Sequence, residues 1–137
     1  MTGSTPSPQV WPTLSAHDAR KLIAFLVEAF GFEETVMYGD GDRVDHAELA
    51  WPAGGGGIML GSVRDETDDR WPLRPGTFGA YVVTDDPETL YARAVAAGAT
   101  VTRELNKTDY GSPEFAVADP EGNLWSFGTY RGAPRPN

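Results

Sequence analysis

The same order of signals occurs twice along this chain: a short extended stretch, a helix opened by Asp and stopped by Gly, then three extended runs separated by turns. In the first pass, Val10 to Ser15 is extended and Asp18 stands at the start of a helix. Leu22, Ile23, Leu26, Val27 and Phe30 then recur at helical spacing until Gly31. Phe32 to Tyr38 and Val44 to Trp51 flank the turn Gly39-Asp40-Gly41-Asp42 as a hairpin, and Ile58-Met59-Leu60 follows the run Gly54 to Gly57 as a further strand. In the second pass, Thr77 to Thr84 is a strand and Asp85-Asp86-Pro87 opens a helix, since Pro fits a first helical turn whose N–H groups lack partners anyway. Leu90, Ala94, Val95 and Ala97 give that helix an apolar face before Gly98. Ala99 to Leu105, Glu114 to Ala118 and Asn123 to Tyr130 are three more strands, with turns at Asp109-Tyr110-Gly111 and Asp119 to Asn123. A duplicated βαβββ unit is the simplest reading, an α+β fold of two matching modules.

The repeat divides the 137 residues into a tail (1–8), one domain (9–130) and a second tail (131–137). Within the domain, module one spans 9–62, a polar connector 63–76 and module two 77–130. Both tails are rich in Pro, Gly and small polar residues and read as flexible. A chain of this length with 40% hydrophobic residues has material for one core.

Several function classes lose support on composition. No apolar run approaches the roughly 20 residues of a membrane-spanning helix, and the N-terminus has no basic start before a greasy stretch. Without cysteine there are no disulfides, thiolate nucleophiles or thiolate metal sites, which fits a reducing cytoplasm. A net charge of -9 with scattered Lys and Arg argues against nucleic acid and suits a neutral or cationic small ligand, although solubility alone also accounts for it. The glycines 54–57 lack the Lys-Ser/Thr and helix of a phosphate loop, no Gly-x-Ser-x-Gly elbow occurs, and two histidines give little support to a nucleophilic triad.

Three phrases, EAFGF at the end of the first helix, VTDDPETLYARAVAAGATV, and DPEGNLWSFGTY at Asp119 to Tyr130, resemble the vicinal oxygen chelate superfamily of glyoxalases, extradiol dioxygenases and bleomycin-resistance proteins. The resemblance covers about Gln9 to Tyr130 and implies paired modules curled around a cup, in a homodimer whose cups lie at or near the interface. It also implies, for metal-using members, four ligands drawn from His, Gln and Glu. Carried over by motif, those positions fall on Trp11, on Met59 or Leu60, on Gly79 and on Ser126. None is a competent ligand for a hard divalent ion. The sequence therefore predicts no metal and no cofactor. That argues against metal-dependent glyoxalase or dioxygenase chemistry, and leaves metal-independent turnover open.

Candidate site residues follow from strand parity and from the resemblance. His46 and Glu48 sit two apart on one strand and face the same way, either as a polar acid–base pair inside the cup or as a half-exposed strand face. His17 reads as a surface or capping residue. The resemblance carries Trp11, Met59, Tyr81 and Ser126 to the cup; Trp11 would stack on a flat or cationic guest, or simply pack in the core. Trp71, in the connector, closes over a ligand, packs on a second subunit, or fills a small local core. Tyr110 and Asp109 reach the cup mouth or serve ordinary turn chemistry. Trp125 and Phe127 belong to the core beneath the sheet. The reading that follows is a metal-independent small-molecule-binding protein of the bleomycin-resistance type, holding an aromatic or cationic compound in a cup of a homodimer. Its rival is a glyoxalase-like lyase or isomerase acting through His46 and Glu48.

Overall fold

The computed structural model describes residues 8–64 and 70–136, so the acidic run Asp65 to Asp69 of the connector and most of the N-terminal tail lie outside the described residues. Module one runs β1 (Thr13–Ala16), α1 (Ala19–Phe25), β2 (Glu33–Asp40), β3 (Arg43–Ala50) and β4 (Gly57–Ser62). Module two runs β5 (Gly79–Val83), α2 (Pro87–Ala96), β6 (Thr100–Lys107), β7 (Pro113–Ala118) and β8 (Leu124–Gly128). Each module makes its own four-stranded sheet, in the orders β1-β4-β3-β2 and β5-β8-β7-β6. The outer pairs match as well. β1 lies parallel to β4 with Thr13 opposite Met59, and β5 parallel to β8 with Tyr81 opposite Ser126.

Alternation along the strands sorts side chains into two faces. In the first sheet Leu14, Ala16, Ala47, Leu49, Ile58 and Leu60 are buried, and in the second Phe115, Val117, Trp125 and Phe127. The two inner faces share one core. Phe30, at the end of the first helix, has its ring centroid 5.4 Å from that of Trp125 and 4.7 Å from that of Phe127, and Phe32 lies 5.6 Å from Trp125. Tilted aromatic pairs of this kind add about 0.5–1.5 kcal/mol each beyond the area they bury. Because the modules pack through their inner sides, the outer faces of the two sheets both remain open.

Periodicity places one helix from Asp18 to Phe30, but after Phe25 the coil widens into a π-helical turn, Leu26–Phe30. A wide turn loosens the carbonyl ladder, and a side chain from the other module fills the gap: Arg93 of α2 donates from Nε to Glu28 O at 2.7 Å and from Nη2 to Val27 O at 3.2 Å. Gly31 then ends the helix at φ +86°, a conformation that favours glycine. On α2 the expected apolar face is corrected at Val95, which is exposed. Tyr91 takes its place in the packing, with its ring 5.0 Å from Phe115, because a helix lying on β6 and β7 presents Leu90, Tyr91 and Ala94 to them.

The DPEGN phrase is a structural knot. Asp119, buried, accepts from Glu121 N (2.9 Å) and Asn123 N (3.0 Å) at Oδ1, and from Asn123 Nδ2 (3.0 Å) and Trp125 Nε1 (2.9 Å) at Oδ2. Asn123 Oδ1 in turn accepts from Phe78 N, tying the turn to the entry of β5. Glu121 crosses to the other module, where its carboxylate accepts from His17 N at 2.7 Å and Asp18 N at 2.9 Å. It thereby supplements the N-cap that Asp18 makes to Lys21 N. Among the described residues no helix is long and apolar enough to cross a membrane.

Candidate functional site

The outer face of the first sheet carries Thr13 on β1, Met59 on β4, Glu48 and His46 on β3 and Tyr38 on β2. The strand register fixes this, since Met59 stands opposite both Thr13 and Glu48, and Tyr38 opposite His46. The choice between Met59 and Leu60 is decided in the same way: Leu60 is in the core and Met59 on the open side. His46 Nε2 lies 2.8 Å from Glu48 Oε2. With the proton on Nε2 that contact holds the ring in place and leaves Nδ1 as a base. A concavity of about 390 Å³ lies at the β1–β4 end of this face, lined by Thr13, Ser15, His46, Met59 and Gly61 among others. Trp11 precedes β1. Its indole donates to Pro8 O at 3.2 Å, and its ring lies over Gly57, where a Cβ would meet it at 3.0 Å.

The outer face of the second sheet carries Tyr81 on β5, Ser126 on β8 and Glu114 on β7, with Arg103 reaching in from β6. Glu114 is the residue that sequence reasoning missed. Its side chain is 3% exposed although it points to the open side of the sheet. Tyr110, on the turn between β6 and β7, donates to Glu114 Oε1 at 2.7 Å, and the Tyr81 hydroxyl lies 3.3 Å from Oε2. Gly128 makes this possible: a Cβ there would come within 2.5 Å of Glu114 Cγ and 2.8 Å of the Tyr81 oxygen. Both phenols are held above their ordinary pKa of 10.0, Tyr81 chiefly by burial and Tyr110 chiefly by the hydrogen bond it gives to Glu114. Tyr130 packs edge-on against Tyr110, centroids 5.7 Å apart. The internal repeat was the signal for Glu114. Aligning Ala118 with Ala50 puts Glu114 at the place of His46 and Ala116 at the place of Glu48.

The remaining candidates scatter. Trp71 is 56% exposed on the connector, and Asp109 lies on the exposed turn beside Tyr110. His17 takes part through its backbone N–H, as described above. A separate apolar cavity of about 400 Å³ opens at the seam between modules, lined by Phe32, Trp51, Phe78, Ala80, Val82 and Trp125 on the inner side of β5.

The residues at the four positions that bind metal in metal-using relatives do not fit a divalent ion. An indole, a thioether, a glycine and one hydroxyl supply neither carboxylate nor imidazole. Among the described residues, no three His, Cys, Asp or Glu side chains come together as a metal would require.

The matched sheets, with parallel outer pairs and helices against a common core, define a protein of paired βαβββ modules. Residues 9–127 match the Glyoxalase/Bleomycin resistance protein/Dioxygenase superfamily, and the chain belongs to that family. An uncharacterised protein of Mycobacterium tuberculosis (strain H37Rv) is 32% identical over 136 residues, covering 92% of this chain and 79% of its own. Among solved structures, TioX from Micromonospora sp. ML1 is similar at 25% identity and a TM-score of 0.69, over 88% of this chain and 98% of that one. A glyoxalase/bleomycin resistance protein from Streptomyces sp. CB03234 shares the fold at 21% identity and a TM-score of 0.63, over 87% and 99% of the two chains.

Proposed function

We propose that this protein binds a small aromatic or cationic molecule, without a metal, against the open faces of its two sheets, and that a homodimer completes the cup. The observation that carries the reading is the residue set at the four cup positions, Trp11, Met59, Gly79 and Ser126. It offers stacking surface, a soft apolar contact, space and one hydroxyl where metal-using relatives place ligands. The dimer is supported by the packing. Each outer face is half a container, and the second exposes Leu124 and the rings of Tyr81, Tyr110 and Tyr130, more apolar surface than a free sheet face ordinarily shows to water.

The test is amide NMR of the protein titrated with naphthylmethylamine, with sedimentation velocity on the same sample. The reading expects a dimer and shifts centred on Thr13, Met59 and Ser126, weakened by Trp11→Ala. Shifts confined to Trp51 and Phe78 would move the ligand to the seam cavity; a monomer with no shifts would reject the proposal.

The 2.8 Å contact between His46 and Glu48 favours a second reading, proton transfer by a His–carboxylate pair in the same cup. Under it, His46→Ala abolishes turnover of a glyoxalase-type substrate while binding persists, and unchanged turnover removes the assignment.

A further inference from the structure

Glu114 is a buried carboxylate with one full donor and one shared donor. The carboxylate is almost wholly buried, and Oε1 receives the Tyr110 hydroxyl at 2.7 Å. Among the described residues Oε2 receives the Tyr81 hydroxyl, at 3.3 Å, and that hydroxyl also lies 2.8 Å from the carbonyl oxygen of Tyr130. A phenol has one proton to give. That proton is divided between Oε2 and the Tyr130 carbonyl, so Oε2 holds one long, shared hydrogen bond. A buried carboxylate oxygen donated to so weakly gains from a further donor.

A cation already stands nearby and falls short. Arg103 Nη2 is 3.6 Å from Oε1, beyond hydrogen-bond reach, and its other contact is a long one of 3.4 Å to Ser126 Oγ. The side chain is half exposed, so its hold on Glu114 is weak and easily displaced. Three tyrosine rings surround the place, those of Tyr81, Tyr110 and Tyr130, and all three are exposed. Tyr81 and Tyr110 turn their hydroxyl ends to the carboxylate, so a cationic nitrogen there meets the negative charge, with exposed rings beside it for an aromatic body.

We infer that Glu114, between Tyr81 and Tyr110, is the recognition point for a protonated nitrogen of the ligand, an ammonium or amidinium group attached to an aromatic body. This rests on the binding reading above and narrows its ligand class. Gly128 belongs to the same device, because any side chain there would occupy the space in which Glu114 and the Tyr81 hydroxyl meet.

The experiment is calorimetric titration of the full chain with naphthylmethylamine and, separately, with naphthylmethanol, which has the same body and no charge. The wild type is expected to bind the amine at least tenfold more tightly than the alcohol. Glu114→Gln, close to isosteric, should bring the amine down to the affinity of the alcohol, and Arg103→Ala, at an exposed position, should tighten the amine alone. Equal affinity of the wild type for both probes, or a preference that survives Glu114→Gln, overturns the inference and leaves the binding reading standing. Binding of neither probe removes both. Should Glu114→Gln fail to fold, the wild-type preference and the Arg103→Ala comparison still decide.

Discussion

Asp119→Asn should be among the most destabilising single-atom changes in this protein. Four donors converge on two carboxylate oxygens: Glu121 N and Asn123 N on one, Asn123 Nδ2 and Trp125 Nε1 on the other. An amide keeps one of those oxygens. Whichever way it turns, two donors lose their acceptor and meet an NH₂ group, in a place that water does not reach. Each such loss costs about 1–3 kcal/mol, so the pair costs about 2–6 kcal/mol. At an unfolding entropy of about 2.1 cal/mol/K per residue, a chain of this length loses roughly 3 to 4 °C of melting temperature for each kcal/mol, so Tm should fall by roughly 7–21 °C. Differential scanning calorimetry at one fixed protein concentration checks this, concentration being held because association shifts Tm. A fall of less than about 2 °C would refute the donor accounting, since it would mean that the knot contributes less than one ordinary hydrogen bond.

Three further outcomes follow from the same contacts. Arg93→Ala removes both donors from the carbonyls of the π-helical turn and should cost about 1–2 kcal/mol in denaturant unfolding, with an unchanged m-value if only the native state is affected. Tyr81 and Tyr110 should ionise above pH 10.0 in an ultraviolet absorbance titration, and Glu114→Gln should lower Tyr110 in particular, because its hydrogen bond to that carboxylate is the main cause of the shift. A raised pKa stabilises the fold below the unfolded value and is lost as pH rises through the folded one, so the phenols should contribute nothing above their own titration. Asp86 has the opposite sign: its carboxylate caps Thr89 and its pKa lies below 3.8, so its contribution is present above that value and lost as pH falls through the folded one. The melting temperatures of wild type and Asp86→Ala should therefore differ near neutral pH and converge in acid.

Much of the fold was legible because punctuation in the chain maps onto backbone necessity. Asp18 and Asp86 cap the helices and Gly31 ends the first one at positive φ. That His46 and Glu48 share a face followed from the two-residue period of a strand, while the sheet register settles that this face is the open one. What escaped was whatever depends on residues distant along the chain. The π-helical turn is stabilised by Arg93, more than sixty residues away, and no local pattern signals it. Glu114 looks like a solvent-facing strand residue until Gly128, Tyr81 and Tyr110 are brought around it by the sheet register. The internal repeat makes it the counterpart of His46, but spacing alone does not show that it is buried.

Thermal denaturation of the purified protein decides whether the cup takes a small molecule without a metal. The protein is melted with naphthylmethylamine, with zinc, nickel or manganese, and with EDTA. Tm is expected to rise with the amine in a concentration-dependent way and to be the same with each metal and with EDTA. A rise with metal that EDTA reverses, and none with the amine, would contradict metal-free binding.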